Sequence, residues 1–147
     1  PVFQQPVNAK PRVSFEAIAS RIRETRFADA DAVVGILTGG AVPAAMIAFH
    51  LGLPLYVMGI NFRTPGDHSP RHSEPVLTSA IPEIPDSIRR ILLVDDVSVT
   101  GSTMTKARTA LSRFTIQTIA LKGQKADIIL FPEWKGCVQW PWNPPEP

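Results

Sequence analysis

Short apolar runs alternate with segments of helical periodicity along most of the chain. Each run lies between charged residues, glycine or proline, and polar residues do not alternate within it. Runs of this kind are typical of strands that are buried on both faces of a parallel sheet. The pattern predicts strands over residues 32–37, 55–62, 91–96, 115–121 and 128–131.

Three segments carry the signals of helices. Ser14 is a favourable N-cap residue before an apolar face that includes Ile18 and Ile22 at helical spacing. A second helix is predicted over residues 41–51, where a proline stands in the first turn and a glycine follows the last residue. A third helix is predicted over residues 103–114.

The alternation of strands and helices predicts the fold class. In a chain of 147 residues it indicates a single α/β domain, residues 1–147, with a doubly wound parallel sheet flanked by helices. The first two strands and the helix between them form a β-α-β unit with a right-handed crossover. Ligands of such sheets bind at the carboxyl ends of the strands, so the chemistry is expected there.

Two segments lack these periodic patterns. Residues 63–85 carry five prolines, two histidines and charges of both signs. An irregular stretch of this length is either disordered or a flexible lid over a site. Arg63, Arg71 and His72 would bring positive charge to such a lid. The first 12 residues are predicted to be an irregular arm, and the tail is rich in tryptophan and proline.

The composition excludes several classes of protein. The 15 basic and 13 acidic residues give a formal charge of +2 and are scattered, so nothing predicts nucleic-acid binding. Residues 32–62 carry no formal charge, but glycine and proline interrupt them too often for a membrane span. Cys137 is the only cysteine, which excludes an internal disulfide or a cysteine-based zinc site. A cytoplasmic location fits the single cysteine and the lack of an apolar leader after Pro1.

The strand predicted at residues 91–96 ends in two adjacent acids, Asp95 and Asp96. We call these residues the acid pair. Ionised carboxylates only accept hydrogen bonds, so the pair can hold the vicinal hydroxyls of a ribose, a divalent cation, or both.

The segment after the acid pair offers a site for an anion. The backbone N–H groups of residues 98–103 and the following helix N-terminus can bind a phosphate. Gly101 permits close approach or a positive φ. The hydroxyl donors of this segment are Thr100, Ser102 and Thr103. One end of the motif therefore suits a diol and the other end suits a phosphate.

Two other interpretations apply to this motif. Two acids and a Ser/Thr-rich loop can be a solvated strand end before a capped helix. The acids are also similar to those of response-regulator receiver domains, which bind magnesium, but too little chain follows Thr103 for the remaining strands of such a domain. The full string of residues 91–103 favours the sugar phosphate.

Residues 91–103 resemble the signature of the type I phosphoribosyltransferases: four hydrophobic residues, two acids and a TGxT-like loop. The xanthine-guanine and hypoxanthine branch is the most similar. The resemblance implies that Asp95 and Asp96 are catalytic and hold Mg²⁺, directly or through water. It implies a binding site for phosphoribosyl pyrophosphate (PRPP) made of Asp95, Asp96, Val97, Ser98, Val99, Thr100, Gly101, Ser102 and Thr103.

The resemblance also implies a pyrophosphate loop, residues 37–40, which consists of Leu37, Thr38, Gly39 and Gly40. It implies a strained peptide between Leu37 and Thr38, with the cis form as one option. Glycines at such a junction can also serve a tight turn for steric reasons alone. Thr38 is a departure, because 6-oxopurine enzymes have lysine or arginine there, and one contact with pyrophosphate is then missing.

A small C-terminal hood, residues 122–147, would cover the base. The residues that the resemblance assigns to the base are Lys122, Cys137 and Val138. Lysine only donates hydrogen bonds and favours a keto oxygen over an amino group, although Lys122 could also be an ordinary surface lysine. The family has a stacking aromatic ring where Cys137 stands. Trp134 or Trp140 could replace it, or could instead seal a sheet edge or a dimer contact.

Val99 stands where the 6-oxopurine enzymes usually have an aspartate that handles the proton of the base. Valine cannot do this, and such help typically contributes about 10² to 10⁴-fold. The function implied is Mg²⁺-dependent transfer of the phosphoribosyl group of PRPP to a nucleobase, a 6-oxopurine, by a homodimer that binds neither nucleic acid nor membrane. The alternative is a PRPP-binding or nucleotide-binding regulator with little activity.

Overall fold

The computed structural model describes residues 10–61 and 74–144. Its elements are α1 (Phe15–Glu24), β1 (Ala32–Leu37), α2 (Ala41–Leu51), β2 (Leu55–Asn61), β3 (Val76–Leu77), β4 (Arg90–Ser98), α3 (Ser102–Ala110), β5 (Thr115–Gly123) and β6 (Ile128–Ile129). The strands form one sheet in the order β3-β2-β1-β4-β5-β6. All neighbouring pairs are parallel except β2 and β3. The predicted α/β fold with a mostly parallel sheet is confirmed.

The central strand β4 contributes side chains to two hydrophobic cores, one on each face of the sheet. Leu92 and Val94 pack with α1 and α2, whereas Ile91 and Leu93 pack with α3. All four side chains are almost fully buried. Because helices cover both faces, the strand is a continuous apolar run up to the acid pair.

α1 begins where the sequence predicts, and α2 both begins and ends where it predicts. The Ser14 hydroxyl oxygen accepts a hydrogen bond from the Ala17 N–H at 3.0 Å and so caps α1. α2 ends at Leu51 because Gly52 takes a φ of 67°, a left-handed conformation that costs glycine little. No helix within residues 10–61 and 74–144 combines the length and apolarity needed to cross a bilayer.

Several element boundaries differ from the prediction. β4 continues to Ser98, because Val97 and Ser98 remain paired with β5. α3 ends at Ala110, since the next residues form a turn in which the Phe114 N–H donates to the Leu111 carbonyl at 3.0 Å. β6 has two residues in place of the predicted four.

The predicted lid is partly regular. Val76 and Leu77 form β3, which pairs antiparallel with β2, although the recurring prolines of residues 63–85 predicted no strand. Ile84, further along the same segment, is buried in the α3 core. Residues 62–73 lie outside the described part of the chain, and the lid cations Arg63, Arg71 and His72 are among them.

The tail is hydrogen-bonded to the N-terminal arm. The Val13 N–H donates to the Gln139 carbonyl at 3.0 Å, and the Gln139 N–H donates to the Pro11 carbonyl at 2.8 Å. Trp140 is 4% exposed in the core under α1 and α2, and it stacks on Trp142 with 5.4 Å between the ring centroids. The prediction that Trp140 could stack on a base is therefore wrong, because the protein encloses its ring.

Candidate active site

Two loops meet at one edge of the sheet. β1 and β4 are parallel neighbours, so the loop from β1 to α2 and the loop from β4 to α3 start side by side. The first N–H groups of a helix have no acceptor within the helix. Neither α2 nor α3 has an acidic residue in its first turn or a side-chain cap. Both helix N-termini are therefore suited to anions.

The acid pair lies at the carboxyl end of the buried run of β4. Asp95 is 8% exposed and Asp96 is partly buried. The Asp96 N–H donates to Oδ1 of Asp95 at 2.8 Å, and the Val97 N–H donates to Oδ1 of Asp96 at 2.8 Å. These bonds hold both side chains in place, and the other carboxylate oxygens can accept hydrogen bonds from a ligand.

The environment of Asp95 disfavours its negative charge. Burial raises the pKa of Asp95 well above the usual value, and the neighbouring charge of Asp96 raises that pKa further. Such a carboxyl group keeps its proton at pH values at which an exposed aspartate is ionised. A cation or the hydroxyl groups of a ligand would stabilise the ionised form, as at many functional sites.

The pyrophosphate loop presses against the acid pair. A Cβ atom on Gly39 would lie 2.5 Å from each of three atoms of the Asp96 carboxyl group. A Cβ atom on Gly40 would lie 2.4 Å from the carbonyl oxygen of Val94. Only glycine allows the backbone to approach β4 so closely at these two positions. The loop and the acid pair therefore form one continuous surface.

The pyrophosphate loop offers its backbone to a ligand. The peptide between Leu37 and Thr38 is cis, which is the option that the resemblance allowed. The Gly40 N–H donates to the Ile36 carbonyl at 2.8 Å, and the Ala41 N–H donates to the Thr38 carbonyl at 3.2 Å. These two N–H groups are used within the loop, and Thr38 is exposed and carries no charge. The backbone N–H groups of Thr38 and Gly39 would therefore be the contacts for an anion.

The second anion loop has internal hydrogen bonds. The Thr100 hydroxyl donates to Oγ of Ser102 at 3.0 Å and accepts from the Ser102 N–H at 3.2 Å. Gly101 has a φ of 82° and immediately precedes α3. We call residues 99–103 the phosphate loop. The hydroxyl groups and the free N–H groups of the first turn suit a phosphomonoester.

Two residues that the resemblance assigned to PRPP point into the protein. Ser98 is 5% exposed, and its hydroxyl donates to the Lys125 carbonyl at 2.7 Å. The N–H of Val97 is used by Asp96. Both residues still belong to β4, so their polar groups position the acid pair and the neighbouring turn. The part of the segment that is open to a phosphate begins at Val99.

The residues assigned to the base lie on two different segments. Lys122 is partly buried near the end of β5 and pairs in register with Val97, directly after the acid pair. Cys137 is exposed and Val138 is partly buried, and both lie in the tail after β6. Only Lys122 is thereby placed beside the acid pair by strand pairing.

One residue beside the site was missed from the sequence. The stem of Lys125 packs on Gly101 of the phosphate loop, because the turn after β5 folds over the end of β4. The signal for it was weak: a lysine two residues after a glycine at the end of a strand. It becomes visible only when β5 is known to pair with β4.

Two adjacent acids thus lie between two loops that suit anions, an arrangement that fits a ligand with a diol and negative groups at both ends. The chain belongs to the family of the phosphoribosyl transferase domain, whose model matches residues 13–123. The match includes both loops, the acid pair and Lys122, and it stops before the tail.

Two curated proteins are similar in sequence. The orotate phosphoribosyltransferase of Sulfurisphaera tokodaii is 33% identical over 92 residues, which cover 63% of this chain and 42% of that protein. The adenine phosphoribosyltransferase of Acidothermus cellulolyticus is 29% identical over 123 residues, which cover 79% of this chain and 68% of that protein. The chain thus spans less than half of the orotate relative, and the two relatives are named for different bases.

Two solved structures share the fold. The purine phosphoribosyltransferase from Pyrococcus horikoshii has a TM-score of 0.72 and 24% identity, and the match covers 93% of this chain and 95% of that one. The xanthine-guanine-hypoxanthine phosphoribosyltransferase of Helicobacter pylori has a TM-score of 0.68 and 19% identity, with 90% and 92% covered. At these identities the likeness concerns the fold.

Proposed function

We propose that this protein transfers the 5-phosphoribosyl group of PRPP to a ring nitrogen of a nucleobase, with a preference for 6-oxopurines, and releases pyrophosphate. The contact between Gly39 and the Asp96 carboxyl group carries this proposal. It joins the pyrophosphate loop to the acid pair, and the phosphate loop follows the same acids along the chain. A pyrophosphate, a ribose diol and a 5-phosphate would therefore lie next to one another in the order that PRPP requires.

The reaction that we propose breaks the bond between C1 and the pyrophosphate oxygen and forms a bond from C1 to the base nitrogen. Positive charge develops on the ribose as the first bond breaks, and the nearby Asp95 and Asp96 stabilise it once they are ionised. The pyrophosphate loop holds the leaving group through N–H groups. The proton on the base nitrogen passes to water, because Val99 offers no acceptor.

The acid pair fits Mg²⁺, which proteins usually bind through one or two carboxylates together with water and substrate oxygens. Within residues 10–61 and 74–144, no three side chains of the His, Cys, Asp and Glu types come together, so a shared site with substrate is the arrangement that fits. Asp95 and Asp96 would hold the ion directly or through water. When bound, Mg²⁺ would offset negative charge on the leaving group.

The preference for a 6-oxopurine rests on Lys122. Lys122 pairs in register with Val97, the residue after the acid pair, and an ammonium group cannot accept a hydrogen bond from an exocyclic amine. We therefore expect a keto oxygen to face Lys122. The contact of Cys137 and Val138 with the base remains a prediction. The location in a reducing cytoplasm also remains a prediction.

A panel of bases tests the proposed function. The protein is incubated with PRPP, Mg²⁺ and one base at a time, and the release of pyrophosphate is measured. We expect release with hypoxanthine, guanine or xanthine to exceed release with adenine or orotate. Equal or greater release with adenine would contradict the role assigned to Lys122. No release with any base would contradict the proposal that the protein is a phosphoribosyltransferase.

The variant Lys122→Ala is the control within this panel. It should raise the KM for the keto purine about tenfold, as expected for the loss of a charge-assisted hydrogen bond. The thermal stabilisation by PRPP should stay the same. A parallel loss of PRPP binding would show instead that Lys122 supports the fold of the site.

A PRPP-binding regulator with little activity is the second candidate. Val99 is 54% exposed at the start of the phosphate loop, and Thr38 is exposed and uncharged in the pyrophosphate loop. Val99 is apolar where catalysis would gain from an aspartate, and Thr38 is neutral where it would gain from a lysine or an arginine. Stabilisation by PRPP without pyrophosphate release from any base would support this candidate.

We also propose that the protein acts as a homodimer through α2 and β2. α2 is apolar on all sides, which is typical of a helix with no solvated face, yet Phe49 is 91% exposed. Leu55 and Val57 are each 40% exposed on the face of β2 opposite to the α3 core, because side chains alternate along a strand. This surface has no formal charge, so the same surface of a second copy of the chain suits it.

The dimer is tested by sedimentation. The double variant Phe49→Lys/Val57→Lys should be monomeric at concentrations at which the wild-type protein is dimeric, because two like charges would face each other across the interface. Ile81→Lys is the matched control, since Ile81 is 47% exposed on the segment that packs against the opposite core. A wild-type protein that is monomeric at all concentrations would refute the proposed interface.

A further inference from the structure

The turn after β5 is fixed to the last residue of β4. The N–H groups of Gln124 and Lys125 both donate to the Ser98 carbonyl, at 2.9 and 3.2 Å, and the Ser98 hydroxyl donates back to the Lys125 carbonyl at 2.7 Å. Gly123 takes a φ of 120°, and a Cβ atom there would lie 2.1 Å from the Ser98 carbonyl oxygen. The backbone of Lys125 is therefore held beside the start of the phosphate loop.

The side chain of Lys125 extends over the phosphate loop. A Cβ atom placed on Gly101 would lie 3.0 Å from Cβ and 3.5 Å from Cγ of Lys125. Gly101 is the residue directly before α3. Three flexible bonds beyond Cγ then allow the ammonium group to reach the first turn of that helix.

The positive charge of Lys125 and the positive end of α3 together favour the binding of an anion. Lys125 is exposed, and the ion pairs among the described residues are Arg21–Glu133, Arg90–Asp31 and Arg108–Asp127, so Lys125 takes part in none of them. Its ammonium group can reach the N-terminus of α3, which is itself positive and has no acid in its first turn. Two positive groups repel each other unless a negative group lies between them.

We propose that the Lys125 ammonium binds the 5-phosphate of PRPP together with the N–H groups of the phosphate loop. The inference rests on the proposed function, because it assumes that PRPP is the ligand. The side chains of the phosphate loop itself are uncharged. Arg108 lines the same cavity as Gly101 and Lys125, but it pairs with Asp127 at 3.7 Å. Lys125 is therefore the cation at this end of the ligand that has no ion pair among the described residues.

The variant Lys125→Met tests the inference, since methionine keeps a stem that packs on Gly101 and lacks the charge. We expect its Kd for ribose 5-phosphate, measured by calorimetry, to rise about tenfold. Its Kd for pyrophosphate, which binds at the other loop, should stay unchanged. With PRPP, KM should rise and kcat should stay the same. Lys125→Arg should restore most of the affinity for ribose 5-phosphate.

Arg89→Met is the matched control. It removes the same charge just before β4 begins, at the edge of the sheet opposite to the phosphate loop, and it should leave all three affinities unchanged. If the wild-type protein binds PRPP and Lys125→Met binds ribose 5-phosphate equally well, the role of Lys125 is refuted. An equal loss for pyrophosphate would also refute it. A wild-type protein that binds neither PRPP nor ribose 5-phosphate would refute the proposed function itself.

Discussion

The double variant Asp95→Asn/Asp96→Asn is expected to lose all thermal stabilisation by PRPP. In the wild-type protein, PRPP with Mg²⁺ at about 100 times its Kd should raise the free energy of unfolding by about 2.7 kcal/mol. Asparagine keeps the size of the side chain but lacks the negative charge that attracts a cation and stabilises the developing charge on the ribose. Thermal melts with and without PRPP measure the difference.

The single variant Asp95→Asn separates the effect of this side chain on stability from its effect on PRPP binding. Because the pKa of Asp95 is raised in the folded protein, the folded state binds more protons than the unfolded state between the ordinary and the raised pKa. Stability of the unliganded wild type is therefore lost as the pH rises through that window. The neutral amide avoids this loss, so the unliganded variant should be more stable than the wild type at pH values above that window.

The same shift determines the pH dependence of PRPP binding. The ionised form of Asp95 is the one that holds a cation, so the affinity for PRPP should rise with pH through the raised pKa.

The control for the double variant of the acid pair is Asp29→Asn/Asp86→Asn, which removes two exposed charges elsewhere. It should respond to PRPP like the wild type. Full stabilisation of the Asp95→Asn/Asp96→Asn variant by PRPP would sink the roles assigned to the acid pair.

Gly39→Ala is expected to cause a second large loss, although glycine and alanine differ by one methyl group. The added Cβ atom would lie 2.5 Å from three atoms of the Asp96 carboxyl group, closer than real contacts allow. The carboxyl group would have to leave its hydrogen bond with the Val97 N–H, or the loop would have to move. We expect kcat/KM to fall about 10²-fold, as for a shift of about 1 Å in a reacting group.

Gly136→Ala is the control for this substitution, because nothing lies within 4 Å of a Cβ atom at that position. Its kcat/KM should match that of the wild type. Melting curves distinguish a disturbed site from a disturbed fold: Gly39→Ala should weaken pyrophosphate binding in a protein that still unfolds cooperatively. An unchanged kcat/KM for Gly39→Ala would show that the loop and Asp96 do not act as one surface.

The sequence predicted β1 and α2 residue by residue because both are uncharged and a glycine follows each within two residues. It failed at the end of α3 for a physical reason. Leu111 and Phe114 continue the helical spacing of apolar residues, and periodicity alone cannot distinguish a last helical turn from the turn that leads into β5. Pairing between Thr115 and Arg90 decides the matter, and pairing is a tertiary property.

The candidate site shows the same division. The acid pair and the phosphate loop are contiguous along the chain, so the order of residues is enough to identify them. Lys125 could not be identified in this way, because its relation to Gly101 depends on the register of β5 against β4 and on the turn at Gly123. Trp140 misled for the opposite reason: a large ring near a site resembles a stacking surface until its burial is known.

The junction between the N-terminal arm and the tail affects how the site assembles. Arg12 and Gln139 form an isolated parallel bridge across almost the whole length of the chain. Such a contact closes a very long loop. Because the chain loses conformational entropy when the loop closes, the contact is expected to form late in folding. The strands and helix around the acid pair are contiguous in sequence and need no such closure. A nascent chain would thus form the strands and helix around the acid pair before the tail that carries Cys137 and Val138 is in place.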